Sequence, residues 1–572
     1  MNDAVWDVAA GAPAPSIVQG VPLDKEESLG TLTLPGFLLE VTKRHGPREA
    51  LAQPRPNGAV DRWTYGELRE RSVTVAKALV AGGLGKGERV GVLMTNRAEL
   101  VASVFGIALA GGVATPLSTF STAEELGYLI ERSAMSVLLF EPRVLKKDFL
   151  AMLRALEPAI DGERPRELRS LRFPFLRRLA MLDAEASAEC VETWQDFLAS
   201  GRSIDDDLVA SRAAAVAPAD PGMLFFSSGS TGEPKGILSA QRGVAIQMWR
   251  MARQQGLDEN VRMWTANGFF WSDNFAMVVG GTLAAGGAIV LQSTFRADEA
   301  LKLMERERVD FLFAWPHQWK QLVDAPNWTE VDLSAMRYVD VDSPIARHAT
   351  IRTDWIEPRH CYGNTETFTL STAFPAGTTR AAAADSHGVV LPGNTIKIVD
   401  PLTGDLVSPG ESGEIAVKGP TLMLGYLGVP PEETFDEQGF FHTGDGGRLD
   451  DAGRLHWEGR LNDIIKTGGA NVSPVEVDDV VRRCPGVKVA QTIGVPHETL
   501  GEMVVTCVVP QDGEDPTEEA VRVFVGERLA SYKTPRRVLR FTEAELAMTG
   551  SAKVKTAELR VSAARRLEHE AA

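Results

Sequence analysis

Apolar residues recur along this chain in two rhythms. From Leu34 to Arg44 they fall at helical spacing. A second helix is predicted from about Thr64 through Leu79, with Thr64 as its N-cap and Glu67 three residues on, the arrangement of a capping box. Gly82 to Gly87 ends it. Arg89–Met94 (RVGVLM) then reads as a strand and Ala98–Leu109 as a helix. Short apolar runs at 136–140, 223–226, 287–292, 310–314 and 337–341 repeat the strand signal. Alternation on this scale predicts an α/β fold of parallel sheets covered by helices. Residues 155–205 are mixed and charged and read as a solvated excursion. Residues 410–447 read as strands and turns, a β-rich subdomain. From Asp463 a small α+β domain is expected: helix 474–483, strands near 487–495 and 503–509, helix 517–530 and strand 537–541.

A length of 572 residues exceeds one ordinary core, so two or more domains are expected. A large N-terminal domain over 1–461 and a small C-terminal one over 462–572 are expected. The formal net charge of −17 argues against nucleic acid or an anionic membrane as partner, because both reward clustered Lys and Arg. Four cysteines, at 190, 361, 484 and 507, form no CxxC pair. They make neither a disulfide framework nor a zinc site and fit a reducing cytoplasm. Cys361 adjoins a motif but reads as a small buried residue rather than a nucleophile. The N-terminus lacks a basic start and a long apolar core, so it is not read as a signal peptide. Val101–Leu117 approaches spanning length, yet it carries three Gly and a Pro and reads as a core helix running into a strand.

The chemistry concentrates in residues 222–236, GMLFFSSGSTGEPKG. An apolar strand breaks into Ser227, Ser228, Gly229, Ser230, Thr231 and Gly232, and Lys235-Gly236 closes the stretch. Such a loop offers backbone N–H and hydroxyl donors to an anion, and the Lys adds a mobile positive charge. It reads as a phosphate cradle, against the blander reading of a flexible surface loop. It is not GxxxxGK[ST], since Gly236 follows the Lys and no hydroxyl is placed for a metal. A second motif is CYGNTET over 361–367. A carboxylate beside a triphosphate repels it unless a cation intervenes, so Glu366 is a magnesium-ligand candidate. Further on, 267–276 (NGFFWSDNFA) carries three consecutive aromatics that cannot all face one core on a regular element. With Trp315, His317 and Trp319 they suggest a largely apolar pocket.

These motifs together resemble the adenylate-forming superfamily, which includes acyl-CoA ligases, adenylation domains of peptide synthetases and luciferases. The resemblance covers most of the chain. It implies a large N-terminal domain of parallel-type sheets with a β-rich subdomain and a small mobile α+β C-terminal domain. It implies that the 227–235 loop takes phosphates, that Tyr362 stacks on adenine within the YGxTE pattern of Tyr362, Gly363, Asn364, Thr365 and Glu366, and that Thr365 reaches the α-phosphate. Asp445 of Thr443-Gly444-Asp445 takes the ribose hydroxyls as a turn carboxylate, and Arg460 serves ribose and phosphate. Phe270, Trp271 and His317 line the acyl pocket, with Trp271 in a slot often held by His. Asn462 is the hinge, where Asp or Lys is usual. Thr467, Gly468 and Gly469 lie near the pantetheine thiol, and Lys553, within MTGSAKVK, is the catalytic lysine beside Thr231 and Glu366. The sequence departs from the pattern at Asp342-Ser343-Pro344, where glycines usually meet adenine, and at Ala552.

The function so implied is ATP-dependent activation of a hydrophobic acid (fatty, aryl or steroid-side-chain) to acyl-AMP, then transfer to coenzyme A. ATP, Mg2+ and CoA are the expected cofactors, and a small carboxylic acid and CoA the partners, in a monomer or homodimer. A carrier-protein thiol or an amine as acceptor remains an alternative, and so does a non-catalytic adenylate binder.

Overall fold

The computed structural model describes residues 16–27, 29–55, 57–162, 168–183, 190–228, 234–358, 360–463, 465–467, 470–497, 500–529, 533–546 and 556–571. The chain divides into two compact units. One holds 19–395 and 417–441; the other holds 396–416 and 442–572, together with residues 16–18.

The first unit contains two parallel-type sheets. The larger has eight strands in the order Val191–Thr193, Arg178–Met181, Val137–Phe140, Arg89–Leu93, Val113–Pro116, Pro221–Ser228, Pro234–Ala240 and Gly425–Tyr426. The first six run parallel, Pro234–Ala240 runs against them, and Gly425–Tyr426 pairs antiparallel to Pro234–Ala240. The second sheet runs Phe311–Phe313, Arg262–Thr265, Ala288–Val290, Glu49–Pro54, Val60–Thr64, parallel but for its last pair. Helices Tyr65–Ala81 and Ala98–Leu109 contribute apolar faces to the main core. The Tyr65 helix starts as expected: Thr64 accepts from Glu67 N while the Glu67 carboxylate accepts from Thr64 N at 2.7 Å. Ala98–Leu109 is buried at every residue but Glu99, as its largely apolar composition requires.

Two expectations fail in this unit. The stretch 155–205 is not simply solvated, because Arg178–Met181 and Val191–Thr193 extend the larger sheet and are buried. Arginines flanking the short apolar run RLAM hide it from a pattern reading, and Arg178 is itself buried, paired with Glu192 at 2.5 Å. Residues 337–341 form no strand and make one bridge, Phe311 to Tyr338. The Asp340 carboxylate accepts from Asp342 N and Glu357 N, side-chain bonds that compete with a ladder.

The second unit holds a five-stranded sheet that includes Thr395–Val399, Gly413–Lys418, Phe441–Leu449 and Leu455–Arg460, the expected β-rich subdomain. It also holds a separate α+β portion. There, strands Val487–His497 and Gly501–Pro510 pair antiparallel, Arg537–Arg540 joins in parallel, and helices Pro474–Val481 and Glu518–Gly526 contribute to one valine-rich core. Strands Ile465–Thr467 and Ala470–Val472 and the helix Thr556–Ala571 are additions that the sequence pattern left unread. Among the described residues no helix is long and apolar enough to cross a membrane.

Candidate functional site

The strand Pro221–Ser228 lies at the edge of the parallel part of the larger sheet, where ligands characteristically meet the carboxyl ends of strands. After Ser228 the chain returns as the antiparallel strand Pro234–Ala240, with Ser227 opposite Lys235 and Ser228 opposite Pro234. The candidate phosphate loop is therefore the connection of a hairpin, not the entry to a helix. Gly229, Ser230, Thr231 and Gly232 lie outside the described residues. Lys235 stands on the second strand, exposed, with Nζ 5.0 Å from the ring centroid of Tyr426. The Tyr426 strand pairs with the same hairpin, Ile237 opposite Tyr426.

Tyr426 joins this hairpin to the second motif. Its hydroxyl donates to Glu366 Oε1 at 2.8 Å, and the Glu366 carbonyl accepts from Met423 N at 2.7 Å. Glu366 sits in the short 3-10 turn Thr365–Thr367, which Asn364 caps by accepting from Thr367 N at 3.0 Å. Tyr362 lies in the short strand before the turn and is buried. Gly363 has a steric reason to be glycine: a Cβ there would stand 1.8 Å from the Thr369 carbonyl oxygen. Phe368 and Thr369 both hold left-handed backbone, φ 47° and 86°, uncommon for residues with side chains and concentrated at functional sites. Lys235 and Glu366 thus come together through a residue that motif reading missed. An aromatic in the run MLGYLG over 423–428 was the available signal, but nothing in its spacing ties it to Glu366.

Glu366 can serve a magnesium ion only as one ligand among several. Among the described residues no three His, Cys, Asp or Glu side chains cluster as a metal site.

Asp445 and Arg460 belong to the β-rich sheet of the second unit, and face each other across it as paired positions. Arg460 Nε lies 3.1 Å from Asp445 Oδ1, and Arg460 Nη1 donates to the Thr443 carbonyl at 2.9 Å. Asp445 is buried while Arg460 stays half in solvent. The expectation of a turn carboxylate is corrected here: Asp445 lies within the strand Phe441–Leu449, next to Gly444 at φ 70°, and the register of that strand shifts between Gly446 and Gly447. Glu414 takes the freed Gly444 N–H at 2.9 Å.

The aromatic residues form a connected strip in the first unit. Ring centroids of Phe270 and Trp271 are 5.4 Å apart, Trp271 and Trp315 6.3 Å, Trp315 and His317 5.8 Å. Phe269 is the residue of the triplet that enters the core. Trp319, in contrast, packs against the separate cluster around Leu312 and Leu322. Phe120, which the sequence reading passed over, extends the strip by an edge-to-face contact with Phe270 at 5.7 Å. Asn96 fixes the loop that carries Phe270: its Nδ2 donates to the Asn267 carbonyl at 2.7 Å and its Oδ1 accepts from Phe269 N at 3.0 Å. A wide-turn helical segment, Phe275–Gly280, follows directly, a feature frequent beside functional sites. Loss of water around His317 holds its imidazole below the ordinary value. Burial, with the Glu357 carboxylate, pushes the Cys361 thiol up to about 12, so it is no thiolate nucleophile near neutrality.

In the second unit Thr467 is buried in its strand, opposite Gly501. Gly468, Gly469 and Lys553 lie outside the described residues, as does the side chain of Asn462.

The family model for AMP-binding enzymes matches residues 38–427, and that for the AMP-binding enzyme C-terminal domain matches 476–553. A 3-[(3aS,4S,7aS)-7a-methyl-1,5-dioxo-octahydro-1H-inden-4-yl]propanoyl:CoA ligase of Mycobacterium tuberculosis is 31% identical over 512 residues, 87% of this chain and 94% of that protein. A mitochondrial medium-chain acyl-CoA ligase of Macaca fascicularis is 28% identical over 550 residues, 93% of this chain and 87% of that one. Among solved structures, an anthranilate CoA ligase in complex with anthranoyl-AMP superposes with a TM-score of 0.75 at 23% identity, covering 94% of this chain and 98% of its own. That last likeness is one of fold.

Proposed function

The chain belongs to the AMP-binding enzyme family and is an AMP-forming acid–CoA ligase, and from that premise we propose that its acid is large and apolar. The observation that carries this is the aromatic strip Phe270, Trp271, Trp315 and His317, which offers a run of ring faces to an apolar acid. The bicyclic and medium-chain acids in the relatives' names support the same class.

The reaction joins two anions. A carboxylate is a poor acyl donor because its leaving group is oxide, and linkage to AMP replaces that with a phosphate leaving group. Charge must be neutralised as the carboxylate attacks the α-phosphorus. We assign Lys553 to bridge the carboxylate and α-phosphate, and the 227–235 loop with Thr231 and Lys235 to hold the departing pyrophosphate. Glu366, set by Tyr426, offers one carboxylate oxygen to magnesium, which when bound neutralises phosphate charge. Tyr362 and Thr365 serve adenine and the α-phosphate, and Asp445 with Arg460 the ribose. The carboxylate is already ionised near neutrality, so no general base is needed. In the second half-reaction the CoA thiol attacks the adenylate, with Asn462 as hinge and Thr467, Gly468 and Gly469 near the thiol. Four cysteines with no CxxC pair support a reducing, cytoplasmic setting.

The test is a panel of acids with labelled ATP and CoA. AMP and acyl-CoA should form together, with kcat/KM rising with apolar area. A preference for short or doubly charged acids overturns the substrate class. AMP formation with amides but no thioester overturns the acceptor.

A further inference from the structure

The usual partition of apolar and polar side chains is inverted in one loop of the first unit that touches the aromatic strip. In the loop after the strand Val113–Pro116, Thr119 and Ser121 are buried, while Phe120 between them is 65% exposed. A loop ordinarily sinks its aromatic and offers its hydroxyls to water. The backbone here is held firmly in the inverted state. Lys147, from the hairpin Arg143–Val144/Lys147–Asp148, donates its ammonium to the carbonyls of Phe120 at 2.5 Å and Ser121 at 2.7 Å, and Phe120 N donates to Ser118 Oγ at 3.1 Å. None of these bonds engages the ring. What the ring does touch is Phe270, edge to face, centroids 5.7 Å apart at 82°, and Phe270 leads on to Trp271.

We propose that Phe120 is a specificity-determining residue: it is the solvent-facing end of the acid-binding strip and selects acids whose ring or chain is long enough to cover it. The inference rests on the reading of the strip as the acid site. A ring held out in water by bonds to its own backbone is pre-oriented, so covering it removes apolar area from water without ordering the loop. Phe270 is already buried and gains little from an additional ligand carbon. Phe120 is where added substrate length gains contact. Lys147 acts through the loop as a positioning residue and touches no substrate.

The experiment compares kcat/KM for a homologous acid series in the full-length enzyme and in Phe120→Ala, with ATP saturating. The expected result is a fall of about tenfold or more in the ratio of the longest to the shortest acid, with KM for ATP moved less than twofold. Phe120→Trp should preserve that ratio within about threefold. Lys147→Gln should raise KM for the long acids more than it lowers kcat. A loss equal across the series, or none, in Phe120→Ala overturns the proposal. Failure of the wild-type enzyme to favour long acids at all would instead overturn the substrate class itself, a separate outcome read from the unmutated series.

Discussion

The Tyr426 hydroxyl donates to Glu366 Oε1 at 2.8 Å, and its ring lies 5.0 Å from Lys235 Nζ. One side chain thereby links Lys235 to the Glu366 carboxylate, the pair proposed to serve phosphate and magnesium. A hydrogen bond to a charged group contributes about 1.5–3 kcal/mol. Tyr426→Phe keeps the ring beside Lys235 and removes the bond. Adenylation, followed by pyrophosphate release, should slow about ten- to hundredfold and require more magnesium for half-maximal rate. Unchanged magnesium dependence would count against this role.

Asp445 and Arg460 should act on nucleotide affinity. Asp445→Asn preserves shape and one acceptor while removing the charge that faces Arg460 at 3.1 Å. KM for ATP should rise at least about tenfold, with a smaller effect on KM for the acid. Arg460 keeps its bond to the Thr443 carbonyl, so the strand should stay in place.

Lys553→Ala separates the half-reactions. Adenylate formation should nearly vanish, while thioester formation from supplied acyl-AMP and CoA should largely survive. Equal loss in both would remove Lys553 from the charge-neutralising role.

Gly363→Ala places a methyl 1.8 Å from the Thr369 carbonyl oxygen, which belongs to backbone already in the left-handed region. The strand–turn unit cannot yield cheaply, and the loss should be about 1–3 kcal/mol. A lowered melting temperature together with weakened ATP binding is the expected pair of results.

Asp478 sets a pH dependence in the second unit. Burial raises its carboxyl to about 7, although Thr492 N donates to it at 2.5 Å. A folded-state value above the ordinary one means that the folded chain binds the extra proton. The stability it contributes is present at low pH and declines as pH rises from about 4 to 7. Asp478→Asn should abolish that part of the slope. The melting-temperature difference between variant and wild type should then grow in the variant's favour across this window, and a flat difference would exclude the effect.

Amino-acid order alone determined the alternation of strands and helices, the capping box at Thr64 and Glu67, and the two motifs around Ser227–Lys235 and Tyr362–Glu366. Each of these is written within a few consecutive residues, in local backbone preference or in a run of donors and charges. The same locality misled at 155–205, where Arg178 disguises a buried strand because its partner Glu192 is fourteen residues on. Only tertiary structure decided that Pro221–Ser228 and Pro234–Ala240 pair antiparallel, that Asp445 is held inside a strand opposite Arg460, that Tyr426 links Lys235 to Glu366 across sixty residues, and that Phe120 meets Phe270. Those relationships depend on strand register and loop course. They arise from the free energy of the whole packed unit and leave no period in the chain that carries them.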